Sequence, residues 1–160
     1  MRGRLLRFAE GFAVINDSYN SNPVALQAMT ELLARTPGYR RRILAAGEML
    51  ELGPESYRLH AETGRHAASR KVDWAVGVQG AAAGLVQGAV EGGLPADRTR
   101  FFNSASDAAP FVAGLLQPGD LLLVKGSRGV KMERIVEALR ARFALAADGE
   151  EIPAGTPGRA

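Results

Sequence analysis

Phe12-Ala13-Val14-Ile15-Asn16-Asp17-Ser18-Tyr19-Asn20-Ser21-Asn22-Pro23 is an apolar run, a polar loop and a helix start in immediate succession. The apolar residues at 12–15 predict a buried strand. Asn16, Asp17, Ser18, Asn20 and Ser21 then crowd donors and acceptors into one loop, with Tyr19 among them. Asn22-Pro23 reads as an N-cap followed by proline at the first helical position, where φ is already helical and no N–H is missed. A strand that ends in a polar loop opening directly onto a helix is the repeating unit of an α/β fold. In open α/β sheets, ligands bind outside the carboxyl ends of the strands. This loop is richer in polar side chains than a connector needs.

The pattern repeats outward from that stretch. Upstream, Leu5-Leu6-Arg7-Phe8 and residues 12–15 flank Glu10-Gly11 and predict a hairpin-like pair. Downstream, Ala25, Leu26, Met29, Leu32 and Leu33 recur at helical spacing until Thr36-Pro37-Gly38. Short apolar strands are predicted at 43–46, 74–78 and 121–124, with a weaker one at 100–102. Helices are predicted at about 55–69, 81–90 and 105–116, the third weakened by Pro110 and Gly114. A last helix carries Met132, Ile135, Val136, Leu139 and Phe143. Strands alternating with helices predict the α/β class, a mostly parallel sheet covered on both faces with an antiparallel edge strand from the hairpin. Residues 146–160 are rich in Gly, Pro and Ala without periodicity and read as a flexible, frayed tail, which leaves 1–145 as one domain.

Composition bounds the function. With 160 residues and 46% hydrophobic content, the chain can bury a real core. It has no cysteine, which excludes disulfides and thiolate metal sites and fits a reducing compartment. No apolar run reaches the length of a membrane span, and Met1-Arg2-Gly3-Arg4 does not lead into a signal-peptide core. Of the 20 basic residues only Lys71, Lys125 and Lys131 are lysines. Arginine favours bidentate contact with carboxylates and phosphates, so acidic small molecules suit this chain as ligands. The cluster Arg40-Arg41-Arg42 lacks the aromatic interleaving of a nucleic-acid surface and reads as the solvated start of a strand.

Three predicted strand-to-helix loops fall on one edge of the sheet: residues 16–22, 47–53 and 125–129. Lys125-Gly126-Ser127-Arg128-Gly129 combines small residues, two cations and a following helix, which suits an anion; a strand-to-helix turn with two solvated cations has the same sequence. Glu48 and Glu51 sit at a strand exit, where they can position an amine or a magnesium-bound water, cap a helix, or stay solvated. His60 reads as structural or exposed, and His66 has no partner at metal-ligand spacing. There is no Gly-Lys dipeptide and hence no phosphate-binding P-loop, and no G-x-S-x-G nucleophile elbow. The edge can bind a ligand but holds no self-contained catalytic set.

Four stretches stand in order: residues 17–23, Gly47-Glu48-Met49-Leu50-Glu51-Leu52-Gly53, His60-Ala61-Glu62-Thr63-Gly64, and Leu123-Val124-Lys125-Gly126-Ser127-Arg128-Gly129-Val130-Lys131-Met132-Glu133. Together they resemble the C-terminal domain of the Mur ligases, over roughly residues 1–143. Within that family the chain is similar to the branch that adds D-alanyl-D-alanine to a UDP-N-acetylmuramoyl-tripeptide in peptidoglycan precursor synthesis. The resemblance implies a Rossmann-like three-layer sandwich, and a bacterial cytoplasmic ligase of three domains that uses ATP and magnesium. The N-terminal domain of such a ligase binds the UDP-sugar, and the central one carries the P-loop and most of the ATP and magnesium contacts. The third closes over ATP and brings the incoming amine. The missing P-loop then implies that this chain is the third domain, partnered by the other two and inactive by itself.

The resemblance also implies roles for residues. Arg2 matches a hinge arginine that reaches the ATP phosphates. Asp17 matches an aspartate that contacts the ribose hydroxyls, and Tyr19, Asn20 and Asn22 match the rest of that ATP-facing loop. Glu48, Lys125, Ser127 and Arg128 match substrate-binding positions, with Arg128 suited to the terminal carboxylate of the dipeptide by bidentate pairing. Glu48 stands where Asp is commoner, and Ser21 where Ala is frequent. No metal site, nucleic-acid partner or membrane partner is expected of this domain. The residues by themselves leave two other readings open, a stand-alone nucleotide- or anion-binding module and another amide ligase of the same superfamily. Residues 17–23 and 125–133 favour the dipeptide-adding branch over folylpolyglutamate or cyanophycin synthesis.

Overall fold

A computed structural model describes residues 3–147 and the backbone of residues 152–153. Arg2 and most of the segment after residue 147 lie outside the described residues. The chain runs through β1 (Arg4–Arg7), β2 (Ala13–Asp17), α1 (Pro23–Arg35), β3 (Arg41–Gly47), α2 (Ser56–Ser69), β4 (Trp74–Val78), α3 (Ala82–Glu91), β5 (Thr99–Phe102), α4 (Ala105–Leu115), β6 (Asp120–Lys125), α5 (Glu133–Arg142) and β7 (Ile152–Pro153). The strands form one sheet in the order β5-β4-β3-β6-β2-β1-β7. β2, β6, β3, β4 and β5 are parallel, while β1 is antiparallel to β2 and β7 to β1.

The three layers follow from side-chain alternation. Leu121 and Leu123 of β6 face one way, toward Leu26 and Leu33 of α1, Ala67 of α2 and Leu85 and Ala89 of α3. Leu122 and Val124 face the other way, toward Val112 of α4 and Ile135, Val136 and Leu139 of α5. A strand buried on both faces needs this unbroken apolar run, and every residue of β6 is buried. The expected α/β architecture is therefore the observed one. α1 starts as its sequence predicts, with Asn22 Oδ1 accepting from the Ala25 N–H at 2.8 Å and Pro23 behind it. Pro110 is accommodated inside α4 because it and Ser106, whose carbonyl loses its helical partner, are both exposed to water.

Two features differ from the sequence reading. Arg40 is exposed, but Arg41 and Arg42 are not a solvated strand start. Arg41 forms a bidentate pair with buried Asp120, both contacts at 2.7 Å. That hydrogen bond is the main cause that holds the Arg41 pKa above its ordinary value. Arg42 donates to the carbonyls of Leu33, Thr36 and Tyr39 and so caps the carboxyl end of α1. Arg40 donates to the Pro118 carbonyl at 3.1 Å. The second feature is the segment read as a tail from residue 146. The Ala146 N–H donates to the Arg7 carbonyl at 2.9 Å, and Ile152 and Pro153 pair with Leu5 and Arg4. β1 offers an open row of backbone groups there, and pairing through backbone alone leaves no side-chain periodicity to read.

Candidate functional site

Strand order answers what the sequence leaves open about the three loops. β6 lies between β3 and β2, so the loops that leave their carboxyl ends are neighbours. α1 and α2 leave toward one face and α5 toward the other. The loops diverge at β6 and open a crevice, which is where open α/β sheets bind ligands.

The loop after β6 is joined to the loop after β2 by a buried ion pair. Asp17 and Lys125 are register partners on adjacent parallel strands, so their side chains leave the same face. Lys125 Nζ lies 3.0 Å from Asp17 Oδ2, with Lys125 3% and Asp17 6% exposed. The same ammonium donates to the backbone carbonyl of Asn20, and the Gly126 N–H donates to the Asp17 carbonyl at 3.3 Å. The other side chains of the loop divide in two. Tyr19 and Asn20 are exposed. Asn16 Oδ1, Ser18 Oγ and Ser21 Oγ are buried without a hydrogen-bond partner among the described residues. Such atoms are rare in native interiors. Asn22 is committed to capping α1.

The loop after β6 also rests on the loop after β3. Met132 packs over Gly47 and Gly126, where an added Cβ would lie 2.8 Å and 2.3 Å from Met132 Cγ. Glycine at both positions lets the chain descend from β6 into α5 across the end of β3. Leu50 reaches Gly129 from the other side, 2.9 Å from where a Cβ would stand. Ser127 is buried at the start of a 3-10 turn formed by Arg128–Val130, and Arg128 is exposed with no ion pair among the described residues. Lys131 closes the turn in the left-handed region at φ 60°.

Glu48 turns away from the crevice. Its Oε1 accepts from Gln79 Nε2 at 3.1 Å and its Oε2 from the Ala81 N–H at 2.8 Å, at the N-terminus of α3. Of the options the sequence left open, the helix-capping one matches this geometry, with α3 rather than α2 as the helix capped. Gln79 sits in the left-handed region at φ 74°, a strained conformation that the Glu48 contact holds in place. Glu51 is exposed, also with positive φ at 63°.

His60 is fully buried. Its Nε2 accepts from the Met49 N–H at 2.8 Å, and its Nδ1 lies 2.7 Å from the Ser56 carbonyl, to which it donates in the neutral ring. Burial pushes its pKa below the ordinary value, opposed by the Ser56 carbonyl and the Glu48 charge. His60 thereby pins the loop after β3 to α2, a role that sequence spacing does not reveal. His66 is half-buried, with its Nε2 3.0 Å from Glu31 Oε1.

Four large apolar side chains are exposed along this edge: Tyr19, Val24 at the start of α1, Leu50, and Tyr57 at the start of α2. Among the described residues no group of three or more His, Asp or Glu side chains is placed to hold a metal. Nor is any helix among them long and apolar enough to cross a membrane.

A switch-point crevice lined by the residue 17–23, 47–53 and 125–133 motifs defines the class. A family model described as Mur ligase, glutamate ligase domain, matches residues 1–128, and the chain belongs to this Mur ligase C-terminal domain family. It is similar to the UDP-N-acetylmuramoyl-tripeptide–D-alanyl-D-alanine ligase of Bacillus subtilis, at 33% identity over 139 residues, 87% of this chain and 30% of that one. The Escherichia coli ligase of the same name is 35% identical over 142 residues, 86% of this chain and 29% of that one. Among solved structures, MurF from Acinetobacter baumannii superposes with a TM-score of 0.74 at 28% identity, covering 86% of this chain and 30% of that one. The MurF ligase from Thermotoga maritima in complex with ADP gives 0.68 at 26% identity, over 85% of this chain and 30% of that one. The chain spans about 30% of the length of the relatives it matches.

Proposed function

We propose that this chain is the C-terminal domain of an ATP-dependent ligase that joins D-alanyl-D-alanine to a UDP-N-acetylmuramoyl-tripeptide in peptidoglycan precursor synthesis. The observation that carries the reading is the crevice at the end of β6, where the Asp17 loop and the exposed Arg128 stand side by side. The names of the Bacillus and Escherichia relatives supply the substrates, and the Thermotoga structure in complex with ADP supports nucleotide use by a ligase of this kind. The exposed Tyr19, Leu50 and Tyr57 fit an edge covered by further domains.

In that ligase the tripeptide carboxylate attacks the γ-phosphorus of ATP and ADP leaves. The dipeptide amine then attacks the acyl carbon, the C–O bond to phosphate breaks, and the nitrogen loses its proton. This domain binds and orients. Asp17 engages Lys125 through Oδ2, which leaves Oδ1 for a ribose hydroxyl, with Tyr19 and Asn20 exposed beside it. Arg2 belongs to the same proposal as a hinge contact to phosphate. Arg128 presents a planar fork to the dipeptide carboxylate, with Ser127 at its base. Closure of the domain excludes water that would hydrolyse the acyl phosphate. Magnesium would enter with ATP on the central domain.

The test is phosphate release by the full-length protein. Release that requires the tripeptide precursor and D-alanyl-D-alanine together is expected, and release indifferent to the dipeptide refutes the reading. Arg128→Ala is expected to raise KM for the dipeptide by about tenfold or more, the loss of a charge-assisted bidentate contact. A wild-type KM removes Arg128 from the carboxylate site.

A further inference from the structure

Lys125 carries a buried positive charge. It is 3% exposed, and its ammonium is shared between Asp17 Oδ2 at 3.0 Å and the carbonyl of Asn20. A buried ammonium is tolerated only where fixed partners replace its water. Both partners belong to the loop after β2. Asp17 is held because it is the register partner of Lys125 on the neighbouring strand, and Ala46, the partner on the other side, is small enough to leave the pair room. Asn20 is held three residues further on, its carbonyl turned in toward the ammonium while its side chain and that of Tyr19 stay exposed. Lys125 therefore clamps the loop at its beginning and at its middle. Two of the three Nζ donors are engaged and Lys125 is almost fully buried, whereas Arg128 is exposed to an incoming carboxylate.

We propose that Lys125 is a positioning residue that sets the shape of the Asp17 loop, and through it the affinity for nucleotide, rather than a contact for the incoming dipeptide. The inference takes the identity of the two ligands from the ligase reading above, and its geometry from the ion pair alone.

Lys125→Met in the full-length ligase keeps an unbranched chain and removes the charge. KM for ATP is expected to rise about tenfold while KM for D-alanyl-D-alanine stays within about twofold of wild type. A larger rise in the dipeptide KM, with or without a change for ATP, overturns the proposal. Met alone leaves Asp17 buried and unpaired, which can prevent folding. Asp17→Asn with Lys125→Met removes both charges, and the dipeptide KM of that double variant decides in the same way. A second measurement needs no activity and runs on the 160-residue chain. Amide hydrogen exchange at Gly126, whose N–H donates to the Asp17 carbonyl, is expected to accelerate in Lys125→Met while the amides of β2 and β6 keep their protection. Unchanged exchange at Gly126 overturns the clamp. If the wild-type protein makes no product, the ligase reading fails and the exchange result still decides what Lys125 does.

Discussion

His60 accepts the Met49 N–H only while its ring is neutral, and this makes the loop after β3 sensitive to pH. Its folded pKa lies below the ordinary 6.5, chiefly through burial. The stability this contributes is fully present above about pH 6.5 and is lost as pH falls from there toward the depressed folded value, because only the unfolded chain takes up the proton. Urea unfolding across about pH 5.5 to 7.5 should therefore show His60→Asn with a flatter slope than wild type, by at most about 1.4 kcal/mol per pH unit. Equal slopes would remove His60 as the source. At this scale the sequence names the actors and not their partners. Glu48, Lys125 and His60 are each legible as polar residues at or after strand ends. That Glu48 caps α3, that Lys125 holds Asp17 and that His60 holds Met49 depends on neighbours up to 108 residues away along the chain.

The helices show the same division at the scale of elements. α2 and α3 approach so closely that a Cβ on Gly88 would lie 2.0 Å from the Ala61 carbonyl oxygen, and one on Gly64 2.0 Å from that of Leu85. Both contacts are with backbone, which cannot swing aside. Gly88→Ala should destabilise the chain by about 3 kcal/mol by overpacking, read as a lower urea midpoint. Gly114, in α4, has nothing within 4 Å of its added Cβ, so Gly114→Ala should stabilise by about 0.5–1 kcal/mol through helix propensity. Opposite signs at two helical glycines would separate packing from propensity; stabilisation at Gly88 would contradict the close approach of α2 and α3. Apolar spacing places these helices within a residue or two of their observed ends. The Asn22 cap marks one start, because a cap acts on residues three positions away, and the structure adds Ser104 as the cap of α4. Helix contacts made through glycine carry no such local signal.

For the whole molecule, the site is a consequence of strand order. β2 and β3 are consecutive parallel strands in the chain, yet β6 is inserted between them, and the insertion brings residues 18–22, 48–55 and 126–132 to one crevice. The crevice is one-sided, with Tyr19, Leu50 and Tyr57 exposed along it and no P-loop in the chain. The 160-residue chain alone is therefore expected to form no peptide bond from ATP, tripeptide precursor and dipeptide. Product formed by it, detected by mass spectrometry, would overturn the view that this edge is part of a larger site. The sequence by itself determined the α/β class, the positions of the loops and the family resemblance, because strand and helix periods, caps and loop motifs act over a few residues. The tertiary structure alone decided that the three loops are neighbours, that Lys125 is buried against Asp17, that Arg41 and Arg42 are clasps rather than solvated charges, and that β1 is paired on its outer side. These are contacts between segments far apart in the chain, set by packing both faces of one sheet, and no local pattern encodes them.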